Sequence, residues 1–363
     1  MQRVSVEEAV ALLSNIVARP STSGDEKAVA DILVAELGGR GVAVRRHYNN
    51  VWALSQGFDS AKPTLMLNSH IDTVRPAVGY SRDPYDGAVE GGRVYGLGSN
   101  DAGASVVALV ALFCNHYDTT AMPYNLLLAL TAEEETMGER GMRAMLAHLA
   151  DEGIKVDMAL VGEPTQMRSA IGERGLVVLD GVARGRSGHA AREEGDNAIY
   201  KALADIAVLR DYRFERVSQV LGPIKISVTQ IEAGSQHNIV PAECRFVVDV
   251  RTTDAYTNEE VVAALQASVG SQLTPRSTRI RASAIAPEHL LVEAATMCGC
   301  ECFVSPTTSD RALMSGIAAL KIGVGDSARS HTADEYVEVA EIAEGVEIYG
   351  RLLANLAVLL NRR

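Results

Sequence analysis

The sequence is short of cysteine, of positive charge and of long apolar runs. Five cysteines in 363 residues cannot build the dense disulfide framework of a small secreted scaffold. Three of them stand close together in Cys298-Gly-Cys300-Glu-Cys302. No second pair follows at zinc-finger spacing, so a soft-metal or redox cluster is not expected. Lys and Arg number 34 against 46 Asp and Glu, a net charge of −12, which argues against nucleic acid and anionic membranes as partners. No apolar stretch approaches the length that spans a bilayer, and Met1-Gln-Arg-Val-Ser-Val-Glu-Glu8 has no signal-peptide core. A cytoplasmic protein is expected. There is no internal repeat and no low-complexity segment.

What is present is an alternation of strands and helices. With 47% hydrophobic residues the chain is globular, and its length suggests two domains. Ser5-Val-Glu-Glu8 and Ser23-Gly-Asp-Glu26 each read as a capping box. The first opens a helix to about residue 17, the second a helix closed by Gly38-Gly39. Residues 42–48 and 51–54 read as strands about the turn Asn49-Asn50. Further strands are expected at 64–67, 124–130 and 157–161, with helices at 101–114 and 139–149. This is an α/β pattern with a largely parallel sheet. From 173 to 285 the order becomes β-α-β-β-α-β: strands at 175–183, 224–231, 244–252 and 278–285, helices at 196–209 and 257–269. The α/β pattern then resumes with a helix at 288–297, a strand at 318–324 and a last helix at 340–360. The expected domains are therefore 1–172 with 286–363, and an inserted 173–285.

The chemistry gathers where strands end. Leu65-Met-Leu-Asn-Ser-His70-Ile-Asp72 closes a strand with residues that share one side of an extended chain. Gly96-Leu-Gly-Ser-Asn-Asp101 sets a carboxylate at the mouth of a helix. Thr131-Ala-Glu133-Glu134-Glu135, Val161-Gly-Glu163 and Ser330-His331-Thr-Ala-Asp-Glu335 each follow an apolar strand. Ligands bind at the carboxyl ends of strands in α/β sheets, and mixed imidazole and carboxylate donors suit zinc. Together these residues form a ligand set for two divalent metals.

Those motifs, spread over nearly the whole chain, resemble the M20 family of metallopeptidases and deacylases, in particular the acetylornithine deacetylase and succinyl-diaminopimelate desuccinylase group. The branch acting on N-acyl ornithine or N-acyl citrulline in arginine biosynthesis looks most similar. The resemblance implies a zinc-peptidase-like catalytic domain and an inserted ferredoxin-like lid and dimerisation domain. It implies two divalent metals, zinc first and cobalt as an alternative, on His70, Asp101, Glu135, Glu163 and His331. Asp101 would bridge them, Asp72 would orient His70, and Glu134 would be the general base. In the inserted domain Ser187-Gly-His189, His237-Asn238 and Val248-Asp-Val-Arg251 match motifs whose His acts in a partner's site and whose Asn and Arg bind substrate. The implied reaction is removal of an acetyl or succinyl group from the α-nitrogen of ornithine or citrulline by a homodimer. Succinyl-diaminopimelate desuccinylase, aminoacylase and dipeptidase or carboxypeptidase activities are the alternatives. Two positions depart from the family pattern. No Lys follows Asp101, and Arg192 stands where relatives often have Pro. That Arg is suited to a succinyl carboxylate.

His47, His116, His148 and His289 lie in no motif and read as surface or helix-face residues. Gly323-Val-Gly325-Asp-Ser-Ala328 half-matches a dinucleotide fingerprint, but it lacks the following helix and the acid about 20 residues on.

Overall fold

Residues Thr64–His70 form a strand in which every side chain is buried. Such a run is what a strand covered on both faces requires. In this computed structural model, which describes residues 3–362, that strand is central to the sheet of the larger of two units. The N-terminal stretch without an apolar core begins outside this range, at Met1 and Gln2. The larger unit comprises Met1–Ile171, Ile285–Phe303 and Ser309–Arg363; the smaller comprises Gly172–Ala284 and Val304–Thr308.

In the larger unit the strand order is Arg45–His47, Asn50–Leu54, Asn125–Thr131, Thr64–His70, Met158–Val161, Ala318–Lys321, Ser169–Glu173. The core of it is parallel: Thr64–His70 runs parallel to both of its neighbours, and Ala318–Lys321 parallel to Met158–Val161. The mostly parallel central sheet expected from the sequence is therefore present. The helix Ala104–His116 lies over it, with every residue from Ala104 to Cys114 buried. It packs against Val6–Val17 and the long C-terminal helix Val339–Asn361. Each fully buried side chain of this layer, such as Phe113 or Leu109, contributes about 1.5–3 kcal/mol. No helix among the described residues is long and apolar enough to cross a membrane.

Several boundaries differ from the sequence reading. Asp101 is not helical: Gly98 turns left-handed at φ 81°, Asp101 is extended at φ −117°, ψ 96°, and the regular helix starts at Ala104. Both halves of the capping box at Ser5 and Glu8 form. The one read at Ser23 does not. Its helix, Lys27–Gly39, starts after Glu26 with no side-chain cap. The strand Ser169–Glu173 and the small sheet of Val89–Glu90, Arg93–Tyr95 and Tyr336–Glu338 were not expected.

The smaller unit has the βαββαβ order. Its antiparallel sheet runs Lys225–Ala233, Glu243–Thr252, Gly175–Arg184, Gln272–Pro275. Val177, Leu179, Phe246, Val248 and Val250 on one face pack with Ala198, Ala202 and Leu209 of the helix Ala198–Asp211 and with Val261 and Leu265 of Asn258–Ser268. The fourth strand is Gln272–Pro275, not 278–285. Buried Asn258 holds the stretch expected to form that strand. Its Nδ2 donates to the Thr278 and Ile280 carbonyls at 2.9 Å each, and its Oδ1 accepts from Thr252 Oγ1 at 2.7 Å. The Ile280 carbonyl also accepts the Leu176 amide at 3.0 Å in an isolated bridge, and the chain pairs again as the short strand Ser283–Ala284 against Ser169–Glu173.

Candidate metal centre

Each motif contributes to a single cluster in the larger unit, the acidic triplet with two side chains. His70 ends Thr64–His70, and Glu133 to Glu135 follow Asn125–Thr131. Glu163 follows Met158–Val161, and Asp101 lies in the bend before Ala104–His116. His331, left-handed at φ 60°, sits in the loop before Tyr336–Glu338.

Asp101 stands in the middle. Its Oδ1 lies 3.2 Å from His70 Nε2, and its Oδ2 lies 3.7 Å from His331 Nε2. On the first side Glu163 Oε1 is 3.9 Å from His70 Nε2; on the second, Glu135 Oε1 is 2.9 Å from His331 Nε2. His70, Asp101 and Glu163 thus bring one ligand atom each within 4.8 Å of the others, and so do Asp101, Glu135 and His331. Glu134 joins His70 and Glu135 in a third such group.

The tautomer of His70 follows from its surroundings. Nδ1 lies 2.9 Å from the Asp72 main-chain oxygen, which can only accept, so the Nδ1 proton is fixed and Nε2 presents its lone pair. The orienting role expected of Asp72 can be placed on particular atoms. Its carboxylate is farther from Nδ1, at 3.5 Å. That group instead accepts the Glu134 and Glu135 amides at 3.0 and 3.1 Å. Asp72 orients His70 through its carbonyl and the acidic triplet through its side chain.

The electrostatics call for cations. Burial, with Glu163, Asp310 and Glu135 adding to it against the pull of His70, pushes the Glu134 carboxyl well up. Burial opposes charge on His70, but Asp101 and Asp72 outweigh it and raise the ring well above its ordinary value. His331 is raised to about 9 by its bond to Glu135. Among the described residues the ion pairs of Asp101 and Glu135 go only to His70 and His331. Uncompensated buried carboxylates are costly unless paired or metal-bound, so this donor set fits divalent cations. The Asp101–Ala102 peptide here is cis.

Sequence reasoning missed Asp310, Glu335 and the residues that support them. Buried Asp310 accepts from Thr131 Oγ1 at 2.6 Å, and Thr131 accepts in turn from Asn68 Nδ2 at 2.9 Å, which ties two neighbouring strands to the short helical turn Asp310–Leu313. Burial raises Asp310 to about 6. Glu335 Oε1 accepts the Asn100 and Asp101 amides at 2.8 and 2.9 Å and so fixes the bend that carries Asp101. Burial pushes Glu335 up to about 7. Glu335 lay within the His331 motif, whereas nothing in the pattern around Asp310 marked it. The Gly323 and Gly325 stretch is no nucleotide loop. A Cβ at Gly323 would lie 2.4 Å from the Glu163 carbonyl, and one at Gly325, at φ 94°, 2.3 Å from Asn100 Oδ1. These glycines let the chain pass close behind the cluster. The five cysteines are free, and no metal-holding group among the described residues includes them.

The remaining candidates lie in the smaller unit. Gly188–His189 pairs with Ile239–Val240, and the Ala190 amide donates to the Asn238 carbonyl at 3.0 Å, so His189 and Asn238 are neighbours. The Ala191 amide donates to His189 Nδ1 at 3.1 Å, which puts the proton of the neutral ring on Nε2. Arg251 is held bidentately by Asp249 at 2.8 and 3.1 Å. Arg192 lies 3.5 Å from Glu194, and both are exposed.

Comparison with known proteins gives the family of the chain. Residues 66–355 match the model of peptidase family M20/M25/M40. Succinyl-diaminopimelate desuccinylase of Cereibacter sphaeroides (strain ATCC 17029 / ATH 2.4.9) is 30% identical over 373 aligned positions, covering 95% of this chain and 97% of that protein. Aminopeptidase PepT from Bacillus cereus superimposes with a TM-score of 0.74 at 19% identity, over 98% of this chain and 99% of its own. The Bacillus subtilis YXEP protein, described as a dinuclear metal binding peptidase from the M20 family, does so with a TM-score of 0.69 at 14% identity, over 98% of each chain. With the family model covering most of the sequence, the chain belongs to peptidase family M20/M25/M40 and is a metal-dependent amide hydrolase.

Proposed function

We propose that the protein is a dinuclear-metal amidohydrolase that removes a succinyl group from an amino-acid nitrogen, as the desuccinylases it resembles are named for doing. The observation that carries the hydrolytic part is Asp101, whose two oxygens face His70 and His331 separately. His70, Asp101 and Glu163 would hold one cation and Asp101, Glu135 and His331 the other, zinc best and cobalt acceptably. Two such cations supply Lewis acidity toward a carbonyl and acidify a water.

The protein's own groups do the rest. Glu134 takes the proton of the attacking water and returns it to the leaving nitrogen. His189 donates its Nε2 proton to the acyl oxygen as charge develops there. Arg251 exchanges Asp249 for the substrate's α-carboxylate, a bidentate match, and Asn238, the neighbour of His189, offers its side-chain amide to the substrate.

The Cereibacter sphaeroides relative favours desuccinylation over the ornithine or citrulline deacylation expected from the sequence, since it is named for succinyl-diaminopimelate. Arg192 supports the same reading. An exposed pair such as Arg192–Glu194 is worth about 0–1 kcal/mol, whereas a charged hydrogen bond to a desolvated carboxylate is worth about 1.5–3 kcal/mol. The test is kcat/KM for N-succinyl-diaminopimelate and for N-succinyl and N-acetyl forms of ornithine and citrulline. Succinyl forms should exceed their acetyl partners by roughly 10–150-fold, and Arg192→Ala should erase that preference. A wild type that favours acetyl groups disposes of the reading.

We further infer a homodimer formed through the smaller unit. Tyr200 and Leu203 of the helix Ala198–Asp211 are exposed, and Lys225–Ala233 is an edge strand, a surface that ordinarily seeks a partner. His189 would then serve the partner's site. Inactive His189→Ala mixed with inactive Glu134→Ala should regain part of the activity as subunits exchange. No recovery after demonstrated exchange would remove the trans role.

A further inference from the structure

Ser23-Gly-Asp-Glu26 has the sequence of a capping box, yet it caps nothing: the following helix has no side-chain cap. Its side chains turn toward the cluster instead. Ser23 Oγ donates to Asp72 Oδ2 at 2.6 Å. The same carboxylate accepts the Glu134 and Glu135 amides. Buried Glu26 accepts the Glu133 amide at 3.3 Å through Oε1, and Asn49 Nδ2 at 2.7 Å through Oε2. The segment is itself anchored. Thr22 bridges to Thr73, the Thr73 amide donates to Ser21 O at 2.8 Å, and Ser21 Oγ donates to Ile71 O at 2.8 Å.

We infer that residues 21–26 form a strap that positions the acidic triplet, with Ser23 and Glu26 as its positioning residues. Glu26 acts directly on the amide of Glu133. Ser23 acts through Asp72 on the amides of Glu134 and Glu135. The triplet needs such support because Glu133 is left-handed at φ 56°, a conformation that non-glycine residues hold only when their surroundings impose it. Without the Ser23 hydroxyl, Asp72 Oδ2 keeps one donor, the Glu135 amide, and the carboxylate can rotate off both amides. The inference deepens the proposed function and rests on it for the task of Glu134.

The test uses full-length Ser23→Ala, Ser23→Thr and Glu26→Gln. Amide hydrogen exchange read on a peptide covering 131–137 is independent of any substrate. Loss of one charge-assisted hydrogen bond should speed exchange there by roughly 10-fold to 100-fold, with the melting temperature and exchange elsewhere unchanged. In steady-state assays Ser23→Ala and Glu26→Gln should lower kcat at unchanged KM, and Ser23→Thr, which restores the hydroxyl, should recover most of both readouts. Unchanged exchange at 131–137 in Ser23→Ala and Glu26→Gln overturns the strap, as does a Ser23→Thr no better than Ser23→Ala. Exchange that responds as expected while wild type cleaves no acylated amino acid upholds the strap and removes the proposed function alone.

Discussion

Glu134→Gln should retain its metal and its melting temperature while kcat falls by roughly 10²–10⁴-fold, the usual worth of a positioned acid–base group. The backbone of Glu134 is already held by Asp72, so the substitution leaves the loop in place and removes only the proton acceptor. Burial and the neighbouring acids push this carboxyl well up. That is the condition of a base that must both take a proton and give it back. The measurement is kcat alongside metal content by elemental analysis. Glu134 lies within ligand distance of His70 and Glu135, so the alternative is definite: if metal and rate disappear together, Glu134 is a ligand and the assignments of Glu134 and Glu135 are exchanged.

Chelation should abolish turnover, and added zinc or cobalt should restore it. It should also lower the melting temperature. A ligand that binds only the folded state at 100 times its Kd stabilises by about 2.7 kcal/mol, and without cations Asp101, Glu134, Glu135 and Glu163 repel one another at close range. Calorimetry and activity on the same dialysed sample check both parts. Full turnover by protein from which metal has been removed would end the metal-dependent reading.

The centre was legible because its side chains sit where hydrophobic periodicity stops. His70, Glu133 to Glu135 and Glu163 each follow an apolar run, and a strand end is a fixed address in a parallel sheet. What was not legible depended on contacts remote in sequence. Asp310 has no local pattern and acquires its place by bonding Thr131. Ser23 and Glu26 satisfy the local rule for a helix cap, but Asp72 and the Glu133 amide claim them. Likewise 278–285 alternates as a strand would, but it pairs in pieces, as a bridge at Ile280 and the two-residue strand Ser283–Ala284, with Asn258 bonding the Thr278 and Ile280 carbonyls. The strands Val89–Glu90 and Arg93–Tyr95 are too short for any period to show.

His331 reaches the cluster only after the whole smaller unit has been interposed between it and Glu163. On the ribosome, His70, Asp101 and Glu163 therefore emerge together, while the partner that completes the set with Glu135 is still unmade. The inserted unit thus separates the two histidines in sequence but not in space, and the helix Val339–Asn361 that packs on Ala104–His116 follows the second of them.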